Sequence, residues 1–179
     1  MRGAYAGRVV LTIGHSTRAI DAFIATLRAF GVERMVDVRT IPRSRHNPQF
    51  NREFLEDSLQ QAGIKYTHMK ELGGLRHARQ DSLNTGWRNA SFRGYADYMQ
   101  TPEFEAALET LIGTAEKEQI AIMCAEAVPW RCHRSMIGDA LAARGIAVED
   151  IIGADRKQPH ELTSFARVMD GRVTYPAAD

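Results

Sequence analysis

The sequence predicts an α/β fold: a mostly parallel sheet of about five strands with helices on both faces, a three-layer sandwich of the Rossmann-like or flavodoxin-like kind. Three observations carry this. Short apolar, β-branched runs recur along the chain, stretches with helical spacing lie between them, and the two kinds of segment alternate. At 179 residues, with 44% hydrophobic and 25% charged residues, the chain suits a single domain (1–179) that needs no disulfides.

The first run is Val9-Val10-Leu11-Thr12-Ile13, closed by Gly14. Ile20, Phe23, Ile24, Leu27 and Phe30 then recur at helical spacing, and Gly31 is the stop. Met35 to Val38 reads as a second strand. Residues 50–62 read as a helix with Phe54, Leu55 and Leu59 on one face, and Ile64 to Met69 as a third strand. Glu71 to Arg93 has no clear period and is rich in Gly, Arg, His and Asn; so long a loop in a compact domain is usually functional. Helices are expected over 91–99 and, with Pro102 in its first turn, over 102–118. Ile120 to Cys124 is the clearest buried strand. A helix from Cys132 to Ala143 and a last strand from Val148 to Ile152 follow, and residues 158–179 read as a short polar tail with a hairpin between Phe165 and Tyr175.

Two cysteines cannot build a disulfide framework, and the N-terminus MRGAYAGRVVLTIG runs straight into a strand pattern. No stretch of 18 apolar residues occurs. A cytoplasmic protein without a membrane partner is the expectation. The formal net charge is only +1, yet Arg34 to Arg93 holds eleven Lys/Arg against six Asp/Glu, and Gly94 to Glu126 holds seven acidic residues against one basic. Arginine outnumbers lysine 19 to 4; guanidinium forks match phosphate and carboxylate, so the bias points to a small anionic ligand or a nucleic acid, although a GC-rich genome yields the same composition.

In parallel sheets ligands bind outside the carboxyl ends of the strands. The residues expected there are Gly14-His15-Ser16, then Arg39 to Arg45, then Cys124-Ala125-Glu126, and Cys132-His133-Arg134 opening a helix. A thiol at a helix N-terminus beside cations ionises easily, which makes Cys132 a candidate nucleophile and Cys124 a packed thiol. Glu126, His133 and His15 are the candidates for proton transfer, with Glu126 expected at the pocket floor or paired with Arg134 or Arg39. Arg39, Arg43, Arg45 and Arg134 are candidate anion ligands with Ser44, while Ser16 suits a helix cap as well as a site role. Cys124, Cys132 and His133 could also hold a metal, although their spacing is unlike ordinary zinc sites; no cofactor is otherwise expected.

These motifs together — TIGHSTR, VDVRTIPRSR with NPQF after it, YTHMKELGG and MCAEAVPWRCHR — resemble the family known as domain of unknown function 488, over Thr12 to about Gly153. The resemblance implies an α/β domain and brings Tyr66, Gly73 and Gly74 into the candidate ligand-binding set, with Asp37 and Phe50 in the pattern. It implies no reaction. Three functions stay open on the residues: an enzyme acting on a phosphate-bearing substrate such as a nucleotide or nucleic acid, a non-catalytic nucleic-acid binder using the 71–93 loop with Trp87 and Phe92, and a thiol-redox or metal protein built on Cys124 and Cys132.

Overall fold

The computed structural model describes residue 5 and residues 7–178. Residues 1–4, read above as leading into the first strand, lie outside them. Six strands form one sheet: β1 (Val10–Gly14), β2 (Arg34–Asp37), β3 (Lys65–His68), β4 (Ile120–Cys124), β5 (Val148–Gly153) and β6 (Arg156–Pro159). Their spatial order is β3-β2-β4-β1-β5-β6, parallel throughout except for β6, which pairs antiparallel to β5.

Helices cover both faces. On one, α1 (Ile20–Ala29) and α2 (Arg52–Gln61) bury Phe23, Leu27, Leu55 and Leu59 with Phe50. On the other, α3 (Ala90–Tyr98), α4 (Pro102–Lys117) and α5 (Arg134–Ala142) bury Tyr95, Phe104, Leu108, Leu111, Met136 and Ile137. This is a three-layer α/β sandwich. Two caps work as their residue types suggest: Asn89 accepts from the Ser91 and Phe92 amides, and Thr101 from the Phe104 amide.

Several expectations need correction. Phe54 is exposed, because α2 turns only Leu55 and Leu59 inward. Ser16 does not cap α1: it has φ 50°, the N-cap position is Ala19, and no side chain caps that end. Helix α5 begins at Arg134, two residues later than expected, since a 3₁₀ turn over Pro129–Arg131 leaves Cys132 extended (φ −140°, ψ 148°). The C-terminal segment is no polar tail. It supplies β6, it forms the hairpin expected between Phe165 and Tyr175 as β7 (Arg167–Met169) and β8 (Arg172–Thr174), and it places Val173 and Tyr175 in the core.

The chain leaves β2 towards β3 and leaves β4 across β1 towards β5. The connections therefore diverge at the carboxyl ends of the neighbouring strands β2 and β4, where the crevice of an open sheet forms. Gly14 sets its far wall: a Cβ there would fall 1.6 Å from the Glu126 carbonyl oxygen. That approach allows the His15 amide to bond the Cys124 carbonyl (2.9 Å) and the Ser16 amide the Ala125 carbonyl (3.0 Å). Gly14→Ala should destabilise the protein by about 1–3 kcal/mol, read as a lowered denaturant midpoint at unchanged slope; a midpoint equal to the parent's would show that the loop yields freely.

Candidate functional site

A cavity of about 350 Å³ opens where β2 and β4 end. Its inner surface carries Arg39, Tyr95, Cys124, Cys132 and His133, all largely buried, and its rim carries the exposed Ile41, Arg43, Leu75, Ser91, Glu126 and Arg131. The 71–93 segment forms one wall, through Gly74 and Leu75 of its loop and through Ser91 and Phe92, which lie in the first turn of α3 rather than in the loop. That loop is held firmly: Asn84 donates to Asp97 (2.7 Å) and Gln100 (3.0 Å) and accepts from the Tyr175 amide (2.9 Å). Glycine at 73 and 74 allows close passage, since a Cβ on Gly73 would meet Thr40 at 2.5 Å and one on Gly74 would meet His133 Nδ1 at 3.2 Å. Leu75 follows at φ 59°, 76% exposed, a conformation costing a non-glycine residue roughly 1–2 kcal/mol. Strain of this kind concentrates at ligand walls.

The two thiols hold the centre. Arg134, fully buried, donates from Nε to Cys124 Sγ (3.1 Å), from Nη1 to Thr12 Oγ1 (2.5 Å) and from Nη2 to the Glu126 carbonyl (3.2 Å). Burial pushes the Cys124 thiol up, but the hydrogen bond from Cys132 and the Arg134 charge outweigh it and bring Cys124 down toward neutrality. The hydrogen bond to Cys124, burial and the Cys124 charge together push Cys132 well above a free thiol. The Arg134 guanidinium thus bonds Cys124, and the thiol it favours for ionisation is not the one expected from sequence. Two such groups share one proton and titrate as a pair.

His133 fixes the second sulfur. Its Nε2 lies 2.9 Å from the Val38 carbonyl, which can only accept, so Nε2 carries the hydrogen and Nδ1, 3.4 Å from Cys132 Sγ, is an alternative acceptor to Cys124 for the single Cys132 hydrogen. Burial holds the imidazole down to about 4, so it is neutral. His15 is likewise held to about 4 by burial; it stacks on Phe50 (centroids 4.3 Å apart) and places Nε2 3.5 Å from Arg39, behind the cavity.

Six of the predicted site residues, Arg39, Arg43, Gly74, Glu126, Cys132 and His133, line one cavity together with Cys124. The others stand elsewhere. Arg39 itself is committed to Asp37 (Nε to Oδ1 2.9 Å, Nη2 to Oδ2 2.7 Å) and to the Phe50 carbonyl, and Tyr66 donates to the same Asp37 carboxylate (2.7 Å). Ser44 accepts from the Asn47 amide in a turn. Arg45 is exposed and outside the cavity wall, and Arg134 lies behind Cys124. The Glu126 carboxylate is at the exposed rim rather than the floor, and it holds neither arginine. Among the described residues no group of three or more His, Cys, Asp or Glu is arranged to hold a metal ion. Trp87 and Phe92, offered for stacking on bases, pack on each other (5.0 Å), and Trp87 also packs on Phe165 and Tyr175.

Sequence reasoning missed Arg131, the second exposed cation at the rim, and a buried chain of polar groups behind Arg134. Thr12 Oγ1 donates to Asp150 (2.5 Å); His160 bridges Asp150 (3.0 Å) and Asp139 (2.9 Å); Thr163 and Tyr175 donate to Asp139. The available signal was a lone acid in an apolar segment, Asp139 among Met136 to Leu141; Asp150, next to Glu149, gave none.

Fold and site define a class: a parallel α/β sandwich with a thiol pair in the crevice at the carboxyl ends of its strands. The profile of the family described as Domain of unknown function DUF488 matches residues 19–141, well over half of the chain, and the protein belongs to that family. The matched span holds Asp37, Arg39, both cysteines, His133 and Arg134, and leaves out His15, Asp150 and His160. No curated protein and no solved structure matches the chain. No helix among the described residues is long and apolar enough to cross a membrane.

Proposed function

We propose that this protein is an enzyme acting on a small phosphate-bearing substrate, a nucleotide or a nucleic-acid end, through the thiol of Cys132. The observation that carries the reading is a pair of buried thiols lining one cavity, with Cys124 accepting from the buried Arg134 Nε and two exposed cations, Arg43 and Arg131, at the rim. Cys132 is the more exposed residue of the two, 7% against 1% for Cys124. When it attacks an electrophilic centre, a bond forms from Cys132 Sγ, the bond to the leaving group breaks with its electron pair, and the Cys132 proton passes to the Cys124 thiolate. Cys124 is therefore the base and Arg134 the group that keeps it charged at rest. Neutral His133 orients the Cys132 sulfur. Arg43, in the role that sequence gave it with Arg39, Arg45 and Arg134, meets the anion together with Arg131.

Peptide-resolved alkylation of both cysteines against pH tests this. Label should accumulate on Cys132 with an inflection near neutral pH, and adenosine monophosphate should slow it. In Cys124→Ala the near-neutral inflection should vanish and Cys132 should label only in the alkaline range. Slow labelling of both cysteines that rises only in the range of free thiols, with no protection, would reduce the pair to packed core thiols.

A further inference from the structure

The turn Pro129–Arg131 serves two cavities. Arg131 and Cys132 line the thiol cavity; Pro129 and Trp130 line a second cleft of about 600 Å³ that also takes in Trp87, Asp150, Glu161 and Ser164. A second partition is aromatic, since Phe92 of the thiol cavity packs on Trp87 of the cleft. We propose that this cleft is a subsite for a nucleobase, of a free nucleotide or of a nucleic-acid strand, whose phosphate then lies toward Arg131 and Arg43; the proposal rests on the enzyme reading above and names the substrate's second half.

Four observations support a planar, uncharged, hydrogen-bonding ring. Both tryptophans of the chain line the cleft, and Trp130 is 63% exposed on a short turn, where an indole offers a stacking face. Trp87 Nε1 is buried and is the one buried side-chain nitrogen or oxygen among the described residues without a hydrogen-bond partner. An unpaired buried donor is destabilising, and a ring nitrogen or carbonyl oxygen of a base is an acceptor of the right kind. No lysine or arginine lines the cleft, and both nitrogens of its one histidine, His160, are already taken by Asp139 and Asp150. Asp150 and Glu161 disfavour a phosphate there, while the exposed Glu161 carboxylate can accept from an exocyclic amine. The charged half of a nucleotide is thus directed out of the cleft and its base into it, with the rim arginines on the other side of a three-residue turn.

Because both tryptophans line the cleft, selectively excited tryptophan fluorescence reports on it. Absorbance-matched titrations with adenosine, adenosine monophosphate, ribose 5-phosphate and a short oligodeoxyadenylate separate ring from phosphate. Saturable quenching by adenosine and its monophosphate, with none by ribose 5-phosphate, is the expected result. Trp130→Ala should weaken adenosine monophosphate binding at least tenfold, read from Trp87, while Trp130→Phe retains most of it. Tighter binding of the oligomer than of the mononucleotide would mark the base as part of a strand, and the reverse order as a free nucleotide; both support the subsite. Equal quenching by ribose 5-phosphate, no quenching by either adenosine compound, or unchanged affinity in Trp130→Ala would overturn it. Thiol ionisation read in the parent protein separates the two ideas: near-neutral ionisation without ring binding removes the subsite alone, and loss of both removes the enzyme reading as well.

Discussion

Replacing Arg134 by methionine should lower stability by about 3–5 kcal/mol and return the thiol pair to the ionisation of free cysteine. Methionine occupies similar volume, so the loss reports charge and hydrogen bonding rather than a cavity. Arg134 is wholly buried, and its guanidinium is the cation in direct contact with Cys124; it also supplies the donor to Thr12, whose own hydrogen goes to Asp150. Without it a buried sulfur loses its counter-charge, the Glu126 carbonyl loses a donor, and the Asp150 carboxylate loses a nearby positive charge. A shift of this size in a chain of 179 residues corresponds to a fall in Tm on the order of 10 °C. Thiolate absorbance against pH supplies the readout that a merely structural role would not move: the near-neutral ionisation should disappear. Arg134→Lys keeps the charge without the three-way fork, so it should retain part of the thiol shift and serve as the test if the methionine variant does not fold. A methionine variant with the parent's Tm and an unchanged thiol titration would refute the assignment.

The parts of this site that sequence disclosed are those set by one strand at a time. The run Ile120 to Cys124 is apolar throughout, so its burial and the emergence of Cys124 at the carboxyl edge follow from pattern alone; the same holds for Val10 to Ile13 before His15. What failed depends on pairing between distant segments. Strand β6 reads Arg-Lys-Gln-Pro and is fully exposed, an edge strand defined by its hydrogen bonds to β5 with no alternation to announce it. The ionisation order of the cysteines turned on where α5 begins. A helix from Cys132 would have given that sulfur the dipole, whereas the Pro129–Arg131 turn moves the start to Arg134 and turns the guanidinium onto Cys124. The anion-binding role given to Arg39 and Arg134 overlooked Asp37 and Thr12, which look like ordinary strand residues until the neighbouring strands assemble around them. Clustered arginines need not signal a ligand when the fold has its own acceptors for them.

His160 should make the protein more stable below neutral pH than above pH 9. Its side chain is 4% exposed and lies between two buried carboxylates, Asp139 and Asp150, with Tyr175 and Thr163 also donating to Asp139. Gly138 leaves room for the ring, since a Cβ there would come within 2.9 Å of it. Burial opposes the imidazolium, but hydrogen bonds and charge from Asp139 and Asp150 outweigh it and raise the group to about 9, above the 6.5 of a free histidine. A pKa raised on folding means that the folded state holds its proton longer than the unfolded chain does. The contribution is fully present below about 6.5, declines from there upward, and is gone once pH exceeds about 9. Its size is on the order of a few kcal/mol, before any loss from adjustment of the two carboxylates. Asp150 acts with the opposite sign at the acid end: its pKa is lowered, so its share is present above the ordinary carboxylate range and lost as pH falls through it. Chemical denaturation from pH 5 to pH 10 should show stability falling between pH 6.5 and 9, and His160→Gln should abolish that decline while lowering stability most on the acid side. The thiol pair titrates within the same window, so the comparison is the difference between parent and His160→Gln at each pH, in which the cysteine contribution cancels. A difference that stays constant from pH 6 to pH 10 would mean that His160 is neutral between its two carboxylates, and the buried chain behind Arg134 would then carry one positive charge fewer than its geometry demands.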